Sequence, residues 1–243
     1  MLIFAIMFRK PSISKKLLAV ALLLTGTAGS LQAQAPVRVG FRVAANTSKI
    51  QGHRLMEETS ASEVDDSYWH AGFTAGAVVD IKMLKWFAIQ PGFLYDYRVC
   101  DYYTSGNYSS SDNLEQTYTM KGQMVTNHFQ VPVLFSFRYQ PFKWLEAQGD
   151  IGPFVSWGIG GHYDKYKRDD SLNFDEKAPC YGGHRSLMFR LDWGFKMGIG
   201  LEIARHYYIG AHYLAGVRNV AKNKEMMRGA HSREWNFCLG YNF

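Results

Sequence analysis

A run of alternating side chains between Ser186 and Ile203 constrains this chain more than any other feature. Every second residue is apolar, and the residues between them are small or charged apart from Met188. Because a β-strand sends successive side chains to opposite faces, the run predicts a strand with one apolar and one charged face. It is too long for an ordinary soluble strand, but a tilted strand needs only about 9–11 residues to cross a bilayer. We therefore interpret it as one strand of a transmembrane β-barrel.

The same alternation recurs along the rest of the chain and predicts seven further strands. The eight predicted strands cover residues 37–45, 68–82, 86 to about 98, 125–139, 144–162, 186–203, 207–220 and 235–243. An even number is typical of bacterial outer-membrane barrels. Pro91, Pro132 and Pro153 lie inside three of these strands. Because proline cannot donate a ladder hydrogen bond, we expect each to lie at a bulge, a bend or a misplaced strand boundary.

The connections between the predicted strands alternate in length. Three are tight (83–85, 141–143 and 204–206), and four are long and polar (46–67, 99–123, 163–184 and 221–231). Short turns on one rim and long loops on the other are typical of outer-membrane barrels, in which the long loops are extracellular. Aromatic residues follow each tight connection, so we predict a periplasmic aromatic belt that contains Trp86, Trp144 and Tyr207.

The two faces of the predicted strands suit different surroundings. Large apolar side chains suit lipid, whereas glycine and small residues suit the narrow interior of an eight-stranded barrel. Lipid offers no hydrogen bonds to the backbone, so the sheet must close on itself. The alternative is a soluble barrel such as a lipocalin, with its apolar face inward. The first interpretation predicts a charged lumen network of Arg38, Arg42, Asp80, Lys82, Asp96, Arg98, Arg138, Glu146, Asp150, Arg190, Asp192, Lys196, Glu202, Arg218 and Glu234.

Positive and negative charges nearly balance in this predicted network. Charges in a low-dielectric interior persist when they are paired and hydrogen-bonded, whereas a selective pore is typically lined by one sign of charge. We therefore expect a plugged lumen with a structural role that does not conduct. An ion path or a binding site is the alternative interpretation.

The N-terminus has the pattern of a secretory signal peptide. Basic residues precede an apolar run at 17–24, and Ala33-Gln34-Ala35 fits a cleavage site, so residues 1–35 form the predicted signal and 36–243 the predicted barrel domain. Cleavage after Ala33 and a start at Met7 are the alternatives to cleavage after Ala35 and a start at Met1. The run is too short for a membrane helix. The expected location is the outer membrane of a Gram-negative cell.

Composition excludes several classes of function. The chain has 243 residues, 23 glycines, 15% aromatic residues and a formal net charge of +6, of which part lies in the predicted signal. No tract of Lys and Arg indicates nucleic-acid binding.

The three cysteines have different predicted surroundings. Cys100 and Cys180 fall in predicted external loops, where a disulfide or free thiols are both compatible with the pattern, and Cys238 would face the lumen.

No catalytic, cofactor-binding or metal-binding residue is predicted. Cysteine and histidine spacings do not match a metal site. His231, Ser232 and Glu234 form a loose grouping near the outer end of the last strand, and they are the best candidates for a lipid-modifying enzyme. We expect that the protein is not an enzyme.

Several segments together resemble the PorT-like outer-membrane β-barrel family. They are the signal ending LQAQA, HFQVPVLFSFRY (His128 to Tyr139), IGPFVSWGIGG (Ile151 to Gly161), DWGFKMGIGLEI (Asp192 to Ile203) and the terminal LGYNF. The resemblance implies an outer-membrane location, and it implies that the barrel-assembly machinery reads the terminal Phe243. It also implies a link to type IX protein secretion for the member that names the family, but it transfers no functional residue to this chain.

These observations predict an all-β, eight-stranded, antiparallel transmembrane barrel with a structural or surface-interaction role. An accessory role in a type IX-like secretion system is the second hypothesis, and a narrow pore or a lipid-modifying enzyme is the third. The expected partners are outer-membrane lipid and lipopolysaccharide, the barrel-assembly machinery during biogenesis, and a secretion-system or surface protein. No nucleic acid is expected.

Overall fold

Antiparallel strands account for nearly all of the residues that the computed structural model describes, which are 37–53, 64–109, 115–167, 175–182, 186, 188–222 and 228–243. The predicted signal segment lies outside these residues. Within the described residues, no helix is both long and apolar enough to span a membrane. The strands are β1 (Val37–His53), β2 (Val64–Leu84), β3 (Phe87–Ser109), β4 (Glu115–Phe142), β5 (Leu145–Lys167), β6 (Asp175–Pro179), β7 (Leu191–Ile203), β8 (Tyr207–Gly216) and β9 (Arg228–Asn242).

Eight of these strands close into a barrel. Each pairs antiparallel with the next in the order β1, β2, β3, β4, β5, β7, β8, β9, and β9 returns to pair with β1. The predicted eight-stranded antiparallel barrel is therefore confirmed. The short strand β6 was not predicted, and it pairs only with the outer end of β5 among the described strands.

The barrel exposes its apolar face and buries its charged face. In β7, the side chains of Trp193, Phe195, Met197, Ile199 and Leu201 are between 42% and 71% exposed, whereas those of Asp192, Lys196 and Glu202 are only 2–3% exposed. A soluble barrel would show the opposite arrangement, so the lipocalin-like alternative is wrong. The outer surface requires an apolar solvent.

Several strands extend well beyond their predicted outer ends. The β3–β4 hairpin remains paired as far as Ser109 and Glu115, so much of the predicted loop at 99–123 is strand. This part of the sequence is rich in Tyr and Thr, which favour strands, and pairing satisfies the backbone hydrogen bonds of both segments. The predicted polarity was correct, but polarity does not exclude a strand outside the membrane. The outer parts of β2 to β6 therefore form a sheet that continues past the barrel.

Three boundaries on the other side of the barrel also differ from the prediction. The sixth barrel strand starts at Leu191 rather than Ser186, the seventh ends at Gly216 rather than Val220, and the eighth starts at Arg228 rather than Trp235. The described residues next to β7 and β8 continue the pairing only through an isolated antiparallel bridge between Met188 and Ala221. The Phe189 N–H donates to the Val220 carbonyl beside this bridge, at 2.7 Å.

The three strand prolines do not lie at bulges. The β2–β3 ladder passes from the pair Val78–Gly92 to the pair Ile81–Ile89 without a change of register, so it is only interrupted beside Pro91. Similar two-residue interruptions occur beside Pro132 and Pro153, again with unchanged register. The expected bulges are therefore replaced by local losses of pairing, which accommodate the missing N–H.

The three tight connections are turns at one rim of the barrel. Lys85-Trp86 and Lys143-Trp144 are two-residue turns, so Trp86 and Trp144 lie in the turns and not at the first positions of strands as predicted. In the third turn, Ala204 and Arg205 have φ angles of 51° and 64°, and the His206 N–H donates to the Ile203 carbonyl at 3.2 Å. Two successive positive φ angles are typical of a type I′ hairpin turn.

Candidate functional site

The lumen is the candidate functional site, and its inner end contains a balanced ion cluster. Strands on all sides of the barrel contribute its members, which are Arg38, Asp80, Lys82, Arg138, Glu146 and Glu202. Arg138 bridges two carboxylates: it pairs with Asp80, and its Nη1 lies 3.0 Å from Glu146 Oε1. Arg38 bridges Asp80 and Glu202 at 2.8 and 2.7 Å. Three cations therefore meet three carboxylates, which offsets the cost of burying them.

The middle of the lumen is organised around Asp150. Its carboxylate accepts hydrogen bonds from the Ser136 hydroxyl and from Gln148 Nε2 at 3.1 Å, and His212 Nε2 also lies at 3.1 Å. Arg42, in contrast, has no carboxylate partner among the described residues. Its guanidinium lies 4.2 Å from the centre of the Tyr208 ring, and Nη1 donates to Asn242 Oδ1 at 2.8 Å. A cation–π contact and neutral acceptors thus hold this cation.

The outer part of the lumen has more negative than positive groups in direct contact. Arg98 Nε lies 2.7 Å from Asp96 Oδ2 and 2.7 Å from Glu234 Oε2, and Arg98 Nη1 lies 3.6 Å from Asp192 Oδ2. The contact with Glu234 is an ion pair without hydrogen-bond geometry, so Glu234 Oε2 accepts no hydrogen bond from a described residue. Lys196 is buried near these groups and donates to Gln130 Oε1 at 3.1 Å. The ion pairs and hydrogen bonds link side chains of β3, β4, β7 and β9 across the lumen at this level.

A hydrophobic cluster covers the outer mouth of the lumen, and we call it the mouth cluster. Ile50 packs against it, and its members are Cys100, Met124, Cys180, Tyr181, Met188, Val220, Ala221 and Ala230. Backbone hydrogen bonds tie the segments together: the Met188 N–H donates to the Cys180 carbonyl at 3.0 Å, and the Val220 N–H donates to the Ala230 carbonyl at 2.9 Å. Sequence alternation could not reveal this cluster, because its segments lie partly outside the strands.

Tyr181 connects the mouth cluster to the polar lumen. Its hydroxyl lies 3.0 Å from His128 Nε2, and His128 Nδ1 lies 3.2 Å from the Ser156 hydroxyl. Burial raises the pKa of the Tyr181 phenol above its ordinary value and raises the pKa of the neighbouring Cys180 thiol to about 12. Both groups are therefore neutral at physiological pH.

All three cysteines are buried free thiols. Cys100 and Cys180 lie in the mouth cluster and not in exposed loops, and Cys180 approaches the Val125 carbonyl at 3.9 Å. Cys238 faces the lumen, where its sulfur lies 3.7 Å from His212 Nδ1. Of the two alternatives for Cys100 and Cys180, the structure has the free thiols.

Two residues of the predicted lumen network lie elsewhere. Arg190 donates to the Gly158 carbonyl at 2.8 Å, and the Arg218 guanidinium lies 5.0 Å from the Phe189 ring. Neither makes an ion pair with a described carboxylate. Both lie just outside β7 and β8, where the alternation of a strand no longer determines the direction of a side chain.

The loose grouping near the start of β9 is not assembled as a catalytic triad. The Ser232 hydroxyl donates to Asp192 Oδ2 at 2.5 Å, His231 Nδ1 lies 3.2 Å from the Arg218 carbonyl, and Glu234 contacts Arg98. Three separate partners thus hold the three side chains, and a nucleophile–base contact is not formed. In the described residues, no group of three or more His, Cys, Asp and Glu side chains could hold a metal ion.

The three residues predicted for the periplasmic aromatic belt lie at the rim that carries the tight turns. Trp86, Trp144 and Tyr207 are all more than half exposed. Phe243 lies at the same end, where its N–H donates to the Val39 carbonyl at 2.9 Å and its ring contacts Phe41. Amphipathic rings at this level suit a membrane–water interface.

Comparisons with known proteins give one family and several distant structures. Ail, the attachment invasion locus protein of Yersinia pestis, in complex with the heparin analogue sucrose octasulfate, is 11% identical, with 85% of this chain and 99% of that chain covered and a TM-score of 0.38. Neisserial surface protein A is 9% identical (84% and 97% covered, TM-score 0.36), and OprG from Pseudomonas aeruginosa is 10% identical (85% and 94%, TM-score 0.35). No curated protein matches the chain. The model of the outer membrane protein beta-barrel domain matches residues 32–222, which is most of the sequence, and the chain therefore belongs to that family.

Proposed function

We propose that this outer-membrane β-barrel protein has a structural or surface-interaction role and that its lumen does not conduct ions. The main support for this proposal is that side chains occupy both ends of the lumen. The inner end holds three cations against three carboxylates, and the mouth cluster covers the outer end. An ion that entered would have to break buried pairs, each of which costs several kcal/mol to separate. The outer extension of β2 to β6 supports a role at the cell surface.

Planar-bilayer recording of the purified protein tests the closed lumen. We expect no stable openings on the nanosiemens scale, and a porin in the same bilayers serves as the positive control. A Tyr181→Ala variant removes the largest side chain of the mouth cluster. We expect this variant to show no conductance either, because the ion pairs beneath it still cross the lumen. Steady conductance of the wild-type protein would contradict the proposal.

An accessory role in a type IX-like secretion system is the second candidate. The PorT-like sequence segments support it, and the outer extension of the sheet gives a partner protein a surface to contact. A deletion strain distinguishes the two roles: loss of secreted cargo supports the accessory role, and normal secretion supports the first. A pore is less well supported, because ion-paired side chains cross the lumen. A lipid-modifying enzyme is less well supported, because His231, Ser232 and Glu234 contact separate partners.

The remaining expectations concern biogenesis and surroundings. We propose that the signal is cleaved after about Ala35, that the barrel-assembly machinery recognises Phe243 and that lipopolysaccharide surrounds the outer half of the barrel. The exposed terminal ring of Phe243 supports the second of these proposals. The alternating, outward-facing apolar side chains support the third.

A further inference from the structure

Two cations lie directly opposite each other on the outward face of the barrel. Lys49 of β1 pairs in register with Arg233 of β9. Both residues point away from the lumen, because their neighbours point into it. Ile50 packs against the mouth cluster, and the Ser232 hydroxyl binds Asp192 inside the barrel.

This cation pair has no carboxylate partner among the described residues. Like charges directly opposite each other on adjacent strands destabilise a sheet. Four other strand cations of the described barrel, which are Arg38, Lys82, Arg98 and Arg138, form ion pairs with carboxylates inside the lumen. On the outer surface, in contrast, no described carboxylate neutralises the facing cations, and this arrangement favours an anionic ligand.

The pair lies at the level of lipid headgroups. Lys49 is twelve residues beyond Val37, the first residue of β1 (49 − 37). At about 3.3 Å per residue and a tilt of about 40°, this is roughly 30 Å, just past an apolar band about 25 Å tall. Aromatic side chains mark the edge of that band: Trp235 is the next outward residue below Arg233, and its ring centre lies 4.8 Å from that of Tyr213.

Both side chains are held in position and keep free donors. Arg233 Nε donates to Gln51 Oε1 at 3.1 Å, and Nη1 donates to the Gly216 carbonyl at 2.7 Å. Arg233 Nη2 makes no hydrogen bond to a described residue. Lys49 Nζ lies 5.1 Å from the centre of the Trp69 ring, and this contact likewise leaves its donors free. Two neighbouring, preorganised cations with free N–H groups suit a phosphate.

We propose that Lys49 and Arg233 bind a phosphate group of a phosphorylated glycolipid in the outer leaflet, of the lipid A class. The phosphate neutralises the facing cations, and the acyl chains of the same molecule contact the apolar band below them. This site is independent of the lumen and of the proposed surface role, and it rests on the proposal that lipopolysaccharide surrounds the outer half of the barrel. It assigns a lipid ligand to one defined position on the barrel wall.

The test compares the thermal stability of the refolded protein in three kinds of phosphatidylcholine vesicle. The first kind contains diphosphorylated lipid A, and the second contains chemically dephosphorylated lipid A. The third contains no lipid A and is measured in buffer with inorganic phosphate. We expect only diphosphorylated lipid A to raise the midpoint temperature of thermal unfolding of the wild-type protein. The charge-removing double variant Lys49→Gln/Arg233→Gln should lose most of that increase, with apparent affinity reduced roughly tenfold or more.

A matched double variant tests the position of the site. Lys85→Gln/Lys143→Gln removes two exposed cations at the opposite rim, and we expect it to keep the full increase. The charge-preserving swap Lys49→Arg/Arg233→Lys should also keep most of it, which separates loss of charge from misfolding. Without lipid A, the Lys49→Gln/Arg233→Gln protein should be as stable as wild type or more so, because the facing charges are gone.

Three results would overturn the site. They are an undiminished increase in Lys49→Gln/Arg233→Gln, an equal loss in both glutamine variants, and an equal increase with dephosphorylated lipid A. An equal increase with inorganic phosphate would show that the ligand is the free anion and would overturn the lipid assignment.

Discussion

At the scale of single residues, the lumen charges depend on sets of partners from different strands. Arg138 of β4 contacts Asp80 of β2 and Glu146 of β5, and all three side chains are buried. A buried carboxylate that loses its cation keeps the cost of its desolvation without the compensating attraction. One arginine therefore supports two carboxylates on two other strands.

Replacement of Arg138 should be among the most destabilising changes in the lumen. We expect Arg138→Met to lower the free energy of unfolding in vesicles by about 3 kcal/mol, because Arg38 and Lys82 still compensate Asp80 and Glu146 in part. Urea titration measures the change. Lys143→Met, in an exposed turn, is the matched control and should change stability by less than about 0.5 kcal/mol.

Neutralising one carboxylate should rescue the same variant. Adding Asp80→Asn to Arg138→Met leaves two cations and two carboxylates, in the intact pairs Lys82–Glu146 and Arg38–Glu202, so the double variant should be more stable than the single one. An Arg138→Met protein as stable as wild type would show that these pairs contribute little.

The residue pattern predicted much of the lumen but not its outer end. The alternation correctly directed Arg138, Asp80 and Asp192 inward, because a strand's period of two holds wherever the ladder is regular. It failed at Arg190 and Arg218, which lie just outside strands. The contact between Tyr181 and His128 was also missed, because it joins a segment between strands to the barrel wall and no local sequence rule relates the two.

At the scale of strands, close approach of backbones inside the narrow barrel limits side-chain size. A Cβ atom added to Gly152 of β5 would lie 2.0 Å from the Val133 carbonyl oxygen of β4. Gly149 lies on the opposite face of the same strand, and a Cβ added there would meet no atom within 4 Å. Close backbone packing therefore excludes a side chain at Gly152 but not at Gly149, so the two positions provide a matched pair of substitutions.

Alanine at these two positions should have opposite effects. We expect Gly152→Ala to destabilise the barrel by about 1–3 kcal/mol, because the β4 backbone must move away. Gly149→Ala should be neutral or stabilising by up to about 1 kcal/mol, because it restricts the unfolded chain. Unfolding titrations of both proteins in the same vesicles measure the difference. Equal effects would show that the interior tolerates the additional methyl group.

The number of barrel strands was predictable, whereas their outer ends were not. Apolar alternation identifies only the part of a strand that touches lipid, such as Phe93 and Tyr95 of β3. Beyond the membrane, water and a neighbouring strand can both satisfy the backbone, so the polar segment at 99–123 does not distinguish a loop from a hairpin. Pairing of Ser109 with Glu115 depends on the tertiary sheet and not on the local pattern.

At the scale of the whole molecule, the exposed surface determines where the protein can fold. The outward face displays Trp, Phe, Ile and Leu side chains from all eight barrel strands. In water, exposing this band would cost on the order of 25 cal/mol per Å² of apolar surface. We expect the urea-unfolded protein to regain its β-sheet circular dichroism only when micelles or vesicles are added.

A second measurement makes the refolding prediction specific. Vesicles of short-chain lipids have thinner bilayers, and refolding should be faster in them than in vesicles of long-chain lipids, because less of the bilayer must be crossed. Recovery of a folded monomer in plain buffer would contradict both expectations and the membrane interpretation itself.

The seam between β1 and β9 also determines how the ring is completed. Arg42 and Asn242 hydrogen-bond across it although they are 200 positions apart along the chain. Such distant partners meet late, since the intervening polypeptide must first be arranged. Until they meet, two bare edges would face hydrocarbon, which offers no substitute donors or acceptors. Insertion and ring completion should therefore be a single concerted step, and the exported polypeptide must be kept from collapsing during transit until that step occurs.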